Sequence, residues 1–254
     1  MARLGRLLIG LSDPLDVVNT IKAFALSEGF DKLARAAAQT MVTHLFTDAG
    51  RTWRQAARHN SQGRQVYEAL RKELNGPMGA TLQHLTEQNA AIIKSLPLDI
   101  AGQVTAHVAK ESLKGTRASD IADQIVKLFP RTSRARADTI ARTETSKTQT
   151  ALTEARCQNL GVGWYIWRTS EDQRVRDSHK LMRDVLVRWS DPPSPEALDG
   201  ESRTYGHYHA GNIFNCRCYT APLIDLDLVN WPARVYYNGS IQSMTRKQFE
   251  RIAA

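Results

Sequence analysis

GWYIWRTSEDQRVRDSHKLM, residues 163–182, is the stretch on which the reading of this chain turns. Up to Leu160 the sequence is rich in Ala, Leu, Arg and Gln, with few turn signals. Trp164-Tyr165-Ile166-Trp167 then brings the aromatic and β-branched composition of a strand. Asp172, Arg174, Arg176 and His179 follow within one short run. Beyond the rigid loop Asp191-Pro192-Pro193-Ser194-Pro195 comes YGHYHAGNIFNCRCY, residues 205–219. Side chains able to bind metals or anions are concentrated in these two stretches, and the first half of the chain is almost bare of them.

Working outward, the C-terminal side predicts short elements. A short helix is expected over Arg174–Met182, and strands over Val185–Trp189 and Ile213–Ala221. Arg234-Val235-Tyr236-Tyr237, then Asn238-Gly239, then Ser240-Ile241 is a hairpin signal, because Asn-Gly suits the positive φ angles of a tight two-residue turn. Thr245 caps a last short helix.

The N-terminal side predicts only helices. Ser12-Asp13-Pro14 places a capping side chain before a proline at the first helical position. Apolar residues recur at helical spacing, as in Leu33, Ala37, Met41 and Leu45. Asn75-Gly76-Pro77 and Gly79 break the pattern. A helix follows over Thr81–Leu96, burying Leu82, Leu85, Ile92 and Leu96 and ended by Pro97. Another covers Ile100–Leu113, before a turn at Lys114-Gly115-Thr116. A third runs over Ser119–Phe129 and closes at Pro130. Thr132-Ser133 opens a long helix that Gly161 stops. The expected class is α+β: a long helical region, then a small mixed module with short strands and a C-terminal hairpin.

With 254 residues the chain can bury a substantial core, as one large domain or two modest ones. A formal net charge of +8 favours contact with a polyanion, DNA or RNA before anything else. Three cysteines, an odd count, do not make a disulfide framework, so a reducing interior is expected. The apolar run near the N-terminus is interrupted by Gly10 and reaches Asp13 too soon for a signal peptide, which predicts cytosolic synthesis. No run is long enough to span a bilayer.

Two groups carry candidate chemistry. On a helix Asp172, Arg176 and His179 share a face, and that arrangement supports two readings. It either orients a metal-bound water or a phosphate, or locks the helix against the Trp-rich strand. Cys216-Arg217-Cys218 and His207-Tyr208-His209 each point two potential ligands in one direction if the chain is extended. Residues two apart on a strand lie ~6.6 Å apart. Sulfurs sharing a tetrahedral zinc lie only ~3.8 Å apart, so Cys-x-Cys needs a bend. A site joining His179 with Cys216 and Cys218, holding a structural zinc, is one reading. One buried cysteine and one spectator is the other.

No standard catalytic signature is present. A zinc deaminase needs His-x-Glu and Pro-Cys-x-x-Cys, whereas His179 is followed by Lys180 and Leu181. Gly-x-Ser-x-Gly, Gly-Lys-Ser/Thr after a Gly-rich loop, and His-Glu-x-x-His are absent too. The densest basic run holds Arg131, Arg134, Arg136 and Arg142, the DNA-contact candidates. No aromatic residues interleave with them, so sequence-independent phosphate contact is the form such binding takes. A solvated helix with local pairing from Glu144 and Lys147 is the alternative.

Three segments in order resemble one family: Ile140-Ala141-Arg142-Thr143-Glu144-Thr145, then Trp167 through Asp172, Arg174, Arg176 and His179, then Gly211 with Asn215-Cys216-Arg217-Cys218. The family is that of phage Mu protein F and its relatives, the phage head morphogenesis proteins. The likeness spans about residues 90–222, although Leu181-Met182-Arg183-Asp184 lacks a Gly that the family often carries after the histidine. The resemblance implies a non-enzymatic minor head protein of a tailed phage. Such proteins associate with the portal vertex and other head or scaffold proteins, and in some cases contact the packaged DNA. It implies residence in the virion, after assembly in the host cytoplasm. Three regions are expected: 1–90 as a helical docking region, 91–222 as the Mu F-like domain, and 223–254 as the hairpin with its short helix. The rival reading is a metal-dependent hydrolase or nuclease acting on DNA ends. His179 would be its ligand or base, and Arg174 or Arg176 would grip phosphate.

Overall fold

The computed structural model describes residues 2–11, 13–58, 63–73, 77–114, 116 and 118–253. Six helices come first: α1 (Ala2–Leu7), α2 (Pro14–Leu26), α3 (Glu28–Arg58), α4 (Gly63–Lys72), α5 (Pro77–Leu113) and α6 (Ala118–Leu160). Then follow β1 (Trp164–Thr169), α7 (Asp177–Leu181), β2 (Leu186–Arg188), α8 (Pro195–Leu198), β3 (Cys218–Pro222), β4 (Ala233–Tyr237), β5 (Ser240–Met244) and α9 (Arg246–Ala253). The chain is α+β, with a long helical region before a small mixed sheet. Among the described residues no helix is long and apolar enough to cross a membrane.

Local chemistry explains several boundaries. Asp13 Oδ1 accepts from Leu15 N at 2.8 Å and caps α2, with Pro14 in the first turn. Ser12, Asn75, Gly76 and Gly115, from the expected start and breaks, lie outside the described residues. Ser27 serves two helices: its hydroxyl donates to Phe24 O at 2.8 Å and accepts from Phe30 N at 3.3 Å.

Two prolines do not end helices. Pro97 lies inside α5, and α6 runs through Pro130, so four expected helices are two. An interior proline costs roughly 3 kcal/mol against alanine. Around Pro97 the offset is visible, since Leu96, Ile100 and Ala101 are buried in one cluster. On α3 the buried side chains include Phe30, Ala34, Ala38 and Val42, whereas Leu33 is 60% exposed. The expected stripe of Leu33, Ala37 and Met41 is therefore one position out of phase with the observed inner face.

The chain divides into two compact units. The first, Met1–Met41 with His84–Arg142, packs Leu4, Leu8, Val17, Ile21, Leu96, Ile100 and Ile121 into a helical core. The second, Val42–Gln83 with Thr143–Ala254, holds the sheet.

The sheet order is β3-β1-β2-β4-β5. β1 pairs antiparallel with β2 (Ile166↔Leu186) and with β3 (Trp167↔Thr220, Thr169↔Cys218). β2 and β4 run parallel at Leu186↔Val235, and β4 and β5 form the expected hairpin (Tyr237↔Ser240). Asn238 and Gly239 carry its turn at φ 48° and 76°. Thr245 Oγ1 accepts from Gln248 N and caps α9, and Gln248 Oε1 accepts in turn from Thr245 N at 2.8 Å.

Alternation along β1 divides the core of this unit in two. Tyr165 and Trp167 pack with Trp53, Val66, Leu70, Cys157, Met182 and Val187. Trp164 points the other way, into a cluster with Leu186, Val235, Met244 and Phe249, its ring 4.9 Å from that of Phe249 in α9. The first of these layers also carries the candidate site.

Candidate metal centre

Four short segments bring the site together: β1 with Trp167, α7 with His179, α8 with Glu196, and the loop from Tyr208 into β3. The expected helix over Arg174–Met182 is only Asp177–Leu181. Asp172 Oδ1 accepts from Arg174 N at 3.0 Å, a local turn that competes with helix, and Arg176 is extended at ψ 149°. Asp172, Arg176 and His179 consequently do not share a helix face. Asp172 instead pairs with Arg217. Arg176 donates to Phe214 O at 2.9 Å and lies 4.6 Å over the Phe214 ring, while Arg174 is exposed. These residues staple the 170–176 segment to the strand end and to the 213–217 loop.

His179 faces inward and is 1% exposed. Its Nδ1 lies 3.4 Å from Cys218 Sγ and 3.6 Å from Cys216 Sγ. The three donor atoms lie within 4.8 Å of one another, so the group could bind a metal. The bend that Cys-x-Cys requires is present. Cys216 precedes β3, Cys216 N donates to Ile213 O at 3.2 Å, and Asn215 sits at φ 50°. Cys218 N then donates to Cys216 Sγ at 3.4 Å. The expected strand over Ile213–Ala221 is accordingly cut to Cys218–Pro222.

Charge at the pair is divided. The Cys216 thiol is lowered, chiefly by a hydrogen bond from Cys218, against the opposing effect of burial. Cys218 is raised by the same bond, by burial and by the neighbouring thiolate. The Trp167 indole N–H favours a thiolate at Cys218, in a geometry short of a hydrogen bond. The third thiol, Cys157, lies in the core and burial pushes it up to about 12.

On the other side of the imidazole, Nε2 is 2.9 Å from the Tyr208 hydroxyl. That hydroxyl donates to Glu196 Oε1. Burial, then the bond to Glu196, raises the Tyr208 phenol far above its ordinary value, so it stays protonated. A hydroxyl whose proton goes to Glu196 can only accept from His179. Nε2 therefore carries the imidazole proton, and the Nδ1 lone pair faces the two sulfurs. Trp167 stacks edge-on to His179 at 5.7 Å and fixes the ring plane.

The helix α6 holds the loop from behind. Thr150 Oγ1 donates to Ala210 O at 2.8 Å, and Thr143 Oγ1 accepts from Asn215 N at 3.1 Å. Gly211, at φ 85°, sits against the same helix. A Cβ there would come within 2.6 Å of Thr150 Oγ1 and 2.9 Å of Ser146 Oγ. Thr143, Ser146 and Thr150 of α6, Gly211 and Asn215 are thus one local construction.

The two histidines flanking Tyr208 lie elsewhere. His207 Nδ1 is 2.9 Å from Pro192 O at the surface, and His209 packs on Tyr165 and Trp189. Tyr208 and Glu196 carried no signal in the sequence, because neither stands at a ligand spacing. The side chains of Arg131, Arg134 and Arg136 lie outside the described residues; their backbone is helical, and Arg142 is exposed on α6.

This construction falls inside a family match: residues 102–221 match the family described as Phage Mu protein F like protein. Over those residues the chain is similar to that family. The Mu F-like segment thus contains the Arg142-Thr143-Glu144 stretch, His179, Tyr208 and both site cysteines. An uncharacterized protein of Haemophilus influenzae is 32% identical over 164 residues, 65% of this chain and 33% of the relative. The chain therefore spans about one third of that relative's length. No solved structure matches.

Proposed function

We propose that this chain is a minor structural protein of a tailed-phage head, acting in head morphogenesis at the portal vertex and performing no catalysis. The observation that carries this reading is the match of residues 102–221 to the Phage Mu protein F like family. The first unit supports a docking role. Leu7, Ile9, Leu15, Leu26 and Leu33 are exposed on it and offer apolar side chains to a partner. In this proposal those helices meet the portal protein or a scaffold protein, and the net charge of +8 suits a protein enclosed with DNA. Its place is the virion, after assembly in the host cytoplasm. Removing the gene from an inducible phage tests the role. Loss of DNA-filled heads, restored by the gene in trans, is expected; a normal yield of infectious particles contradicts it.

A metal-dependent nuclease is the second reading, and one observation favours it. Three protein ligands leave a coordination position, as catalytic zinc sites do. Against it, His179 is fully buried between Tyr208 and the thiols and Arg176 is engaged with Phe214, so no base is offered to a DNA end, although Arg174 stays exposed.

A further inference from the structure

We infer that His179 Nδ1, Cys216 Sγ and Cys218 Sγ form a zinc site, aimed by a Glu196–Tyr208–His179 relay that keeps the imidazole in its Nδ1-ligating tautomer. The inference stands on local geometry and is independent of the head-assembly role.

Distances make the first part of the case. Zinc–sulfur bonds of about 2.3 Å and zinc–nitrogen bonds of about 2.0 Å at tetrahedral angles set a sulfur–nitrogen edge of about 3.5 Å. The two edges here are 3.4 and 3.6 Å. All three donors already lie within 4.8 Å of one another, so bringing the sulfurs to an edge of about 3.8 Å moves them by no more than about 1 Å. A pair of hydrogen-bonded thiols needs only one of them beside the imidazole. Both converge on the same nitrogen. Two thiolates and an imidazole select zinc over magnesium, calcium or manganese.

The relay is the independent part. Metal-ligating histidines hold their second ring N–H on a carboxylate or another acceptor, which fixes tautomer and ring orientation. Here that acceptor is the Tyr208 hydroxyl, and Glu196 stands behind it. Glu196 is 0% exposed, and its second oxygen, Oε2, has no hydrogen-bond partner. A buried carboxylate oxygen left without a donor is costly.

The test uses the full chain purified without chelator, with metal measured by mass spectrometry and folding followed by the near-ultraviolet dichroism of the buried tryptophans. One zinc per chain is expected. Cobalt exchanged into the site should give a thiolate-to-cobalt charge-transfer band that is reduced in Cys216→Ser and Cys218→Ser. Those variants risk misfolding, so Tyr208→Phe is the second arm. It keeps all three ligands and the ring, loses the relay, and should bind zinc about 10–100-fold more weakly. A folded wild-type protein that takes up no zinc even when zinc is added overturns the site. Zinc held equally by folded Cys216→Ser overturns its ligand set. Unchanged affinity in Tyr208→Phe overturns the relay.

Discussion

Arg156 in α6 and Glu73 beyond α4 make a fully buried ion pair across 83 residues of sequence, with Nε–Oε2 at 2.9 Å and Nη2–Oε1 at 3.1 Å. The guanidinium also donates to Phe46 O at 3.1 Å and lies 4.8 Å over the Phe46 ring. This joins α3, the residues after α4 and α6 at the back of the sheet-bearing unit. Removing one partner leaves the other charge stranded. Glu73→Ala or Arg156→Ala should lower unfolding free energy by about 3–5 kcal/mol. Urea denaturation reads this directly, and a loss below about 1 kcal/mol would show that the pair does not hold these helices.

Gly211 should tolerate no side chain. Its φ of 85° is strained for alanine, and the added Cβ meets Thr150 Oγ1 and Ser146 Oγ inside contact distance. Gly211→Ala is expected to cost about 2 kcal/mol or more, from backbone strain and overpacking together. Adding Thr150→Ala removes the nearest contact and leaves those with Ser146 Oγ and Cys218 O, so it should recover part of the loss. Thermal melts of the single and double variants decide this. Full recovery would mean that backbone strain contributes nothing.

His209 gives the protein an acid sensitivity. Burial depresses its imidazole to about 4, from an unfolded value of 6.5, against a smaller opposing hydrogen bond with the Trp189 backbone. Between those two values the unfolded chain binds a proton that the folded chain refuses, so stability rises with pH across that window. The contribution is complete above pH 6.5 and is lost as pH falls toward 4, by about 3 kcal/mol in all. Chemical denaturation at a series of pH values should show this slope, and His209→Gln should flatten it. An unchanged slope in the variant would assign the effect to another group.

Much of the fold was legible, for reasons that vary by element. Asn238-Gly239 announces its hairpin because the turn's positive φ angles leave few other residues comfortable there. Trp164-Tyr165-Ile166-Trp167 announces its strand through composition. Pro97 misleads because tertiary burial outweighs a helix-breaking preference, and no local pattern reports that burial. The buried phase of α3 was missed because small Ala34 and Ala38 face inward while larger Leu33 faces out, so apolar size alone pointed the wrong way.

For the site, His179 and the cysteines could be named because their chemistry is scarce in the chain. The Asp172–Arg176–His179 face could not survive, since α7 begins only at Asp177 and Arg176 is extended. Tyr208 and Glu196 became visible only through the fold. Their roles depend on α8 and a loop meeting over α7, and a sequence spacing does not encode that meeting.

DNA contact through Arg131, Arg134, Arg136 and Arg142, part of the proposed role, has its own signature. Binding should be indifferent to sequence and should fall linearly on a plot of log affinity against log salt, with a slope of about −0.9 per phosphate neutralised. Replacing the four arginines with glutamine should flatten the slope. Fluorescence anisotropy on two unrelated duplexes measures it, and undetectable or salt-insensitive binding removes DNA from the partners.

The nuclease reading predicts plasmid cleavage by wild-type protein with added divalent ions, abolished in His179→Ala. The structural reading predicts no cutting above a no-protein control under any of these ions. Agarose electrophoresis separates them, and cutting that depends on His179 would put the cluster among catalytic sites.

The most direct test of the assembly role is to isolate heads at an early stage and ask where this chain travels. Sedimentation followed by immunoblotting should place it with portal-bearing particles and with detergent-released portal rings. Recovery solely in the slow-sedimenting soluble fraction, with portal-bearing heads free of it, would contradict the account.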